Sequence, residues 1–319
     1  MIEALNLALV LLILALAVWT LVARDTFAAV AGFVPYGMLL TLAWLALSAV
    51  DVAMTEAAIG AGLTGALLIG AAARLRPTEA AARAQRPGIA TRVLAALLAG
   101  AVAAAVAACV LLLPEPAPTL APEVMANIAS TGVGNPITAV LLSFRAMDTL
   151  LEAVVLLFAL VGIWSLAPDR FWGGRPGPTP VAEPNGILAY LARVLPPIGI
   201  VVGIYILWVG ADHPGGKFQG ATVLAAMWLL VLMAGLRDVP AVDRRALRVA
   251  LVAGPAVFIA IGLLGAWSAG AFLAYPDGLA KPLILVIEIA LMPSLAVTLA
   301  LLLLGPPQRS AALPSEGAP

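Results

Sequence analysis

The chain has 319 residues, 63% hydrophobic and 11% charged, with mean hydropathy +1.09. Soluble domains hold roughly 45–50% apolar and about 25% charged residues, so a water-soluble globule is excluded and lipid must solvate most of this surface. The formal net charge of zero gives no reason to expect a polyanion such as nucleic acid as partner, and a single cysteine, Cys109, excludes an intrachain disulfide and a thiolate metal centre.

A helix needs about 20 mostly apolar residues to cross the hydrocarbon core, and within it every backbone group must be paired internally. Continuous apolar runs of that length predict nine spans, at 4–22, 28–49, 54–73, 92–113, 146–166, 187–209, 218–236, 247–268 and 281–304. The expected fold class is therefore an all-α polytopic membrane protein. The first run lacks a basic leading segment, carries Glu3 and is longer than a signal-peptide core, so it reads as a retained span. With the N-terminus outside, 14 of the 17 basic residues fall on the cytoplasmic side, leaving only Arg145, Lys217 and Lys281. The positive-inside rule thus predicts a cytoplasmic C-terminus.

Between the spans, the arginine-rich link RLRPTEAAARAQRPG and the Pro/Gly-rich connector 168–186 mark candidate module joints. The proline-rich connector 114–136 is expected to be mostly irregular and the tail 306–319 disordered. Cys109, inside an apolar run, reads as a buried filler thiol. Gly262, Ala266 and Gly270 have the small-xxx-small spacing of a close helix contact.

Ionisable groups inside lipid are costly and mark pathways or pairing partners. Asp51 and Glu56 open the third span, with Gly60 and Thr64 continuing the Glu56 face at i+4 spacing. Asp51 reads as a helix cap. Glu56 is either a carboxylate beside a wet helix contact or a group satisfied by a neighbouring helix. Arg145, Asp148 and Glu152 stand at i, i+3 and i+7, on one helical face. Either Arg145 and Asp148 pair while Glu152, a turn deeper, exchanges protons, or all three form a structural ion triad. Glu288 lies about two turns inside the ninth span, followed by Pro293, and nothing in its own helix neutralises it.

The stretch GADHPGGKFQG, 210–220, holds the only histidine between two apolar runs. Asp212, His213, Pro214, Gly215, Gly216 and Lys217 either line the mouth of a wet path or form a solvated hairpin. GAGLTG, 60–65, matches a dinucleotide fingerprint but follows no strand, so no nucleotide is expected. No P-loop, paired histidine or Ser–His–Asp set occurs. No metal, cofactor or catalytic site of the chain's own is expected.

GADHPGGKFQGATVLAAMWLLVLMAG resembles the G-H-N-x-P-G-G-G-F-x-G-G loop and following helix of the B subunit of Mrp-type multisubunit Na⁺/H⁺ antiporters. Pro214, Gly215, Gly216, Phe218 and Gly220 match, whereas the family's first His falls on Ala211 and its third Gly on Lys217. DVAMTEAAIGAGLTGALL is similar to the C-terminal extension of the large A subunit, a module also found in membrane-bound hydrogenases. NPITAVLLSFRAMDTLLEAVVLLFALVGIWSL resembles the adjoining module, with Phe144, Arg145, Asp148, Thr149 and Glu152 matching and Ser143 departing. The resemblance divides the chain into an MbhD-like module at 1–85, an MbhE-like module at 90–168 and an MrpB-like module at 187–305. It implies a multi-pass inner-membrane subunit of a Na⁺/H⁺ antiporter, with other subunits of such a complex as partners and Na⁺ and H⁺ as substrates. The implied translocation residues are Glu56, Arg145, Asp148, Glu152 and Glu288. The alternative is a structural subunit of a related redox-driven, hydrogenase-type complex.

Overall fold

The computed structural model describes residues 2–84, 88–179, 183 and 186–311. It is almost entirely helical. Helices α1 (Ile2–Val22) and α2 (Thr26–Ala46) form a hairpin whose turn is capped by Asp25, which accepts the Ala28 N–H. The third span begins at Val50, four residues earlier than expected. It runs from α3 (Val50–Thr55) through a π-helical stretch (Glu56–Leu63) into α4 (Thr64–Ala84), passing Pro77 on the way. Helix α5 (Ile89–Leu111) follows, then α6 (Ala121–Thr131), the short α7 (Pro136–Ala139) and α8 (Ala146–Trp164). The last four helices are α9 (Ile187–Val209), α10 (Lys217–Met233), α11 (Arg245–Ser268) and α12 (Ala280–Leu304).

Among the described residues, eight helices are long and apolar enough to cross a membrane. The remaining expected span, the seventh at 218–236, is α10, which has only 17 residues. It starts at Lys217, already buried inside the bundle, and stops at Met233, short of the expected end. Helix α12 is the axis of the fold, packed against α8, α10 and α11. Its inner face, with Ile284, Ile287, Leu291 and Leu295, joins Leu142, Leu150 and Phe258 in the main core. The π-helical stretch docks on α10, where close approach of α2 is permitted by Gly37 against Ala61.

Several expectations are corrected. The connector 114–136 contains α6, which starts with Pro122 in its first turn and ends on Gly132 in the left-handed region (φ 69°). These are standard start and stop signals. Cys109 is exposed, because α5 buries no residue against the rest of the chain. The first part of the tail is ordered: β2 (Pro307–Arg309) pairs antiparallel with β1 (Arg175–Pro176). Residues 312–319 lie outside the described residues. Gly262 faces the ring of Phe272, Ala266 is exposed and Gly270 is open, whereas the close approach of α11 to α12 is at Gly254 beside Leu291. There Ser294 inserts its hydroxyl into the α11 ladder, accepting the Gly254 N–H (2.9 Å) and donating to Ala250 O (2.7 Å).

The helix ends gather on two faces. One carries the α9–α10 loop, Asn135 and the start of α12; Gly134 N–H meets Ala211 O there, and Lys281 meets Asp212. The other is rich in arginine. On it Arg175 and Arg309 both pair with Asp238, and Val242 and Asp243 N–H groups bond to Gly174 O and Gly173 O.

Candidate functional site

The site begins with two glycines. Gly215 (φ 153°) and Gly216 (φ 134°) occupy backbone space that side chains rarely enter, and a Cβ on Gly215 would press into the Ile206 carbonyl. The chain can therefore dip, and Gly216 N–H bonds Ile206 O at 3.0 Å. Asp212, His213 and Pro214 stay exposed, while Gly215, Gly216 and Lys217 are buried.

Three segments far apart in sequence are stitched around this dip. Asn135 is the N-cap of α7, accepting the Ile137 N–H at 2.9 Å. Its side-chain amide donates to Asp51 Oδ1 (3.2 Å), Gly210 O (3.3 Å) and His213 O (3.0 Å). Asp51 Oδ1 also accepts the Gly215 N–H at 3.0 Å. Gln219 donates to Thr55 Oγ1 (2.9 Å), and Thr138 donates to Gly210 O (2.5 Å). Asp51 is thus a cross-link and not the expected cap, since the N-cap position of α3 belongs to Ala49.

Beneath the stitching lies a cavity of about 250 Å³ lined by Asp51, Thr55, Thr138, Glu152, Lys217 and Glu288 among others. Lys217 is 3% exposed and Glu288 2% exposed. Neither forms an ion pair within 4.0 Å among the described residues. The ammonium of Lys217 sits 5.1 Å from the Phe218 ring centre, a cation–π distance. Glu288 stands eight residues into α12, ~12 Å along the axis. It lines the same cavity as Gly216 and Lys217, so the N-terminal, positive end of α10 lies toward its carboxyl. Its Oε2 finds no hydrogen-bond partner in the chain.

The cavity's far wall is a broken helix. After α7 a π-helical stretch, Val140–Phe144, ends at Arg145 (φ −131°, ψ 37°), and α8 starts afresh. Two carbonyls freed by the break are taken by side chains: Thr149 Oγ1 donates to Leu141 O (2.6 Å) and Tyr275 to Leu142 O (2.5 Å). Burial first, and Glu288 second, push the Tyr275 hydroxyl well above its ordinary pKa, so it remains a donor. Outside the bundle, the hydrogen bond from Lys281 (2.7 Å) holds the Asp212 carboxyl below the usual aspartate range.

The structure therefore brings Glu152, Glu288, Gly215, Gly216 and Lys217 to one cavity. Lys217, expected at an outer mouth, is instead the buried first residue of α10. Glu56 is elsewhere: its carboxylate folds against Gly60 and toward Gly37. Arg145 and Asp148 pair at 2.6 Å with side chains 70% and 52% exposed, turned away from the cavity because Arg145 is no longer helical. Asn135, Thr138 and Gln219 were not singled out by sequence; the Asn135-Pro136 pair ahead of the fifth span was the available cue for the first. Among the described residues no three His, Cys, Asp or Glu side chains gather as a metal site.

Residues 11–77 match the MbhD family, described as the D component of MBH, and residues 187–305 match a domain related to the MnhB subunit of Na⁺/H⁺ antiporters. No curated protein matches the chain. Among solved structures, a chain of the Mrp complex from a Dietzia species aligns with TM-score 0.71 and 24% identity over 96% of this chain. The present chain spans only 35% of that longer one. A chain of the membrane-bound sulfane sulfur reductase, an archaeal respiratory membrane complex, aligns with TM-score 0.54 and 23% identity, covering 68% of this chain and 99% of that one.

Proposed function

We propose, for a multi-pass membrane chain that joins an MbhD-type segment to an MnhB-related domain, that it serves as an inner-membrane subunit of a multisubunit Na⁺/H⁺ antiporter. The observation that carries this reading is the cavity where the two segments meet. It holds a buried lysine and two glutamates, walled by a broken helix and a re-entrant loop. Irregular backbone is tolerated at membrane depth where it lines a wet cavity. An unpartnered carboxylate oxygen on Glu288 is relieved by a proton, a water or a hard cation, which takes oxygen ligands. Glu152 and Lys217 complete a relay across the cavity, and the stitched loop above it, with Asp212 and His213 at its exposed edge, is the entrance.

In this proposal residues 90–168 form an MbhE-like module, the arginine-rich face is cytoplasmic, and large antiporter-type subunits are the partners. Glu56, Arg145 and Asp148 act outside the cavity, at surfaces facing those partners. The match to the sulfane sulfur reductase chain supports a second reading, a structural subunit of a redox-driven complex.

The test is Glu288→Gln and Lys217→Gln in the assembled complex, with Na⁺-driven proton release read in everted vesicles. Both variants should assemble on native gels and lose at least tenfold in turnover. Full turnover would refute the relay. Iron–sulfur proteins co-purifying with the tagged chain would favour the redox-driven reading.

A further inference from the structure

A second cavity lies on the opposite, arginine-rich face, ~350 Å³ in volume, between α8, α11 and the laced connectors. Its walls are aliphatic, with Leu157 and Val161 from α8 facing Leu251 from α11. They run inward from the helix ends: Leu157 is seven residues before the end of α8, ~10 Å along the axis. Its outer end is different in kind, bounded by Trp164, Trp172 and Arg248.

Each of these three has unused capacity. The indole N–H of Trp164 is buried and has no acceptor in the chain, and a buried unpaired donor is destabilising. Trp172 is 69% exposed, in the position where tryptophans settle between lipid headgroups and acyl chains. Arg248 spends only its Nε, donating to Val242 O at 3.0 Å. That bond aims the guanidinium, and its terminal nitrogens meet no carboxylate among the described residues. Arg244 and Arg245 start the same helix and are exposed, beside Asp243. The other acid of this loop, Asp238, is taken by Arg175 and Arg309.

A slot that is aliphatic within the membrane and cationic at its edge, with a spare N–H at the boundary, is complementary to an amphiphile with an anionic head. We infer that this groove is a binding site for an anionic phospholipid of the leaflet on the arginine-rich side. One acyl chain lies between α8 and α11, the Trp164 N–H donates to an ester carbonyl, and Arg248 holds the phosphate. Arginine suits that role because its planar fork binds phosphate oxygens in pairs. The inference is independent of ion transport and stands if the antiporter reading fails.

The experiment uses the full chain in phosphatidylcholine vesicles containing brominated-acyl phosphatidylglycerol or, in parallel, brominated-acyl phosphatidylcholine. Tryptophan quenching is followed against mole fraction. The chain has seven tryptophans, and those simply facing lipid are quenched alike by both headgroups, so the signal is the difference. The expected result is excess quenching by phosphatidylglycerol, reduced in Trp164→Phe to the part Trp172 reports and shifted to about tenfold higher mole fraction in Arg248→Gln, as loss of a charged hydrogen bond implies. Arg248→Lys should fall between. Equal quenching by both headgroups overturns the proposal, as does an unchanged Arg248→Gln titration. Displacement by millimolar inorganic phosphate would show a phosphate site and no lipid site. Loss of the difference on assembly with partner subunits would show that a protein covers the groove, and would also overturn it.

Discussion

Replacing Asp51 by alanine removes the acceptor shared by the Gly215 N–H and the Asn135 amide. Asn135 keeps two other acceptors, Gly210 O and His213 O, so its loss is small. Gly215 N–H keeps none among the described residues and is buried. Leaving a buried donor unpaired costs ~1–3 kcal/mol, and ~2 kcal/mol corresponds to roughly a 30-fold change in the opening equilibrium of the loop. Asp51→Asn keeps an oxygen of the same reach and forfeits only the charge-assisted part, under ~1 kcal/mol or about fivefold. The assay is amide hydrogen exchange on the purified protein, which reads local opening directly. Exchange at 210–219 should accelerate about 30-fold in Asp51→Ala and about fivefold in Asp51→Asn, with α11 and α12 unchanged. Acceleration of less than twofold in Asp51→Ala, or uniform acceleration through α12, would refute the idea that this carboxylate pins the re-entrant loop.

Other perturbations have equally definite outcomes. Ser294→Ala strips the hydroxyl from the Gly254 N–H and Ala250 O of α11; at ~2 kcal/mol the melting temperature should fall by ~3 °C, and an unchanged melt would show that the ladder closes by itself. Gly215→Ala places a methyl against the Ile206 carbonyl at a φ of 153°, so the loop should lose its protease resistance while α11–α12 stay folded, as limited digestion will show. Asp212 has a folded pKa depressed by Lys281, so the stability it adds is complete above the unfolded value near 4 and fades as pH falls through the lower folded value. An exposed pair of this kind contributes at most ~1 kcal/mol; melting curves of the native chain and Lys281→Gln should therefore converge toward pH 3 and separate at pH 6.

The helices were legible because lipid imposes one strong rule, and continuous apolar runs of spanning length obey it. The sorting of arginine onto one face was legible for the same reason. Glu288 was legible too, since a carboxylate eight residues into an apolar helix has no local explanation. Lys217 was not. In sequence it sits among glycines, a histidine and an aspartate, the composition of a solvated loop. Its burial is decided by α10 starting below the ends of its neighbours, which depends on the space left by α3, α7 and α12. Asp51 was misread because an acid at a helix start has a local role available, and the competing long-range one needs Gly215 and Asn135 brought from 164 and 84 residues away. The Arg145–Asp148–Glu152 face assumed an unbroken helix. The break at Arg145 is held open by Thr149 and Tyr275, and the second of these lies in a loop that no helical pattern connects to it.

The two faces of the bundle are fastened by different means. On the arginine-rich face, backbone bonds of β1, β2 and the α10–α11 loop lace connectors to one another, with Asp238 clamped by two arginines. On the opposite face, apart from two backbone bonds to Ala211 O, the segments are held by single side chains, among them Asp51, Asn135 and Gln219. A side chain can trade its partner for water with little rearrangement, whereas a paired strand cannot. The bundle accordingly has a hinge side and a door side. Any rocking of α10 against α12 would pivot at the laced end and swing widest where Lys217 and Glu288 face the cavity, so small displacements at the laced end would become changes of aperture at the other.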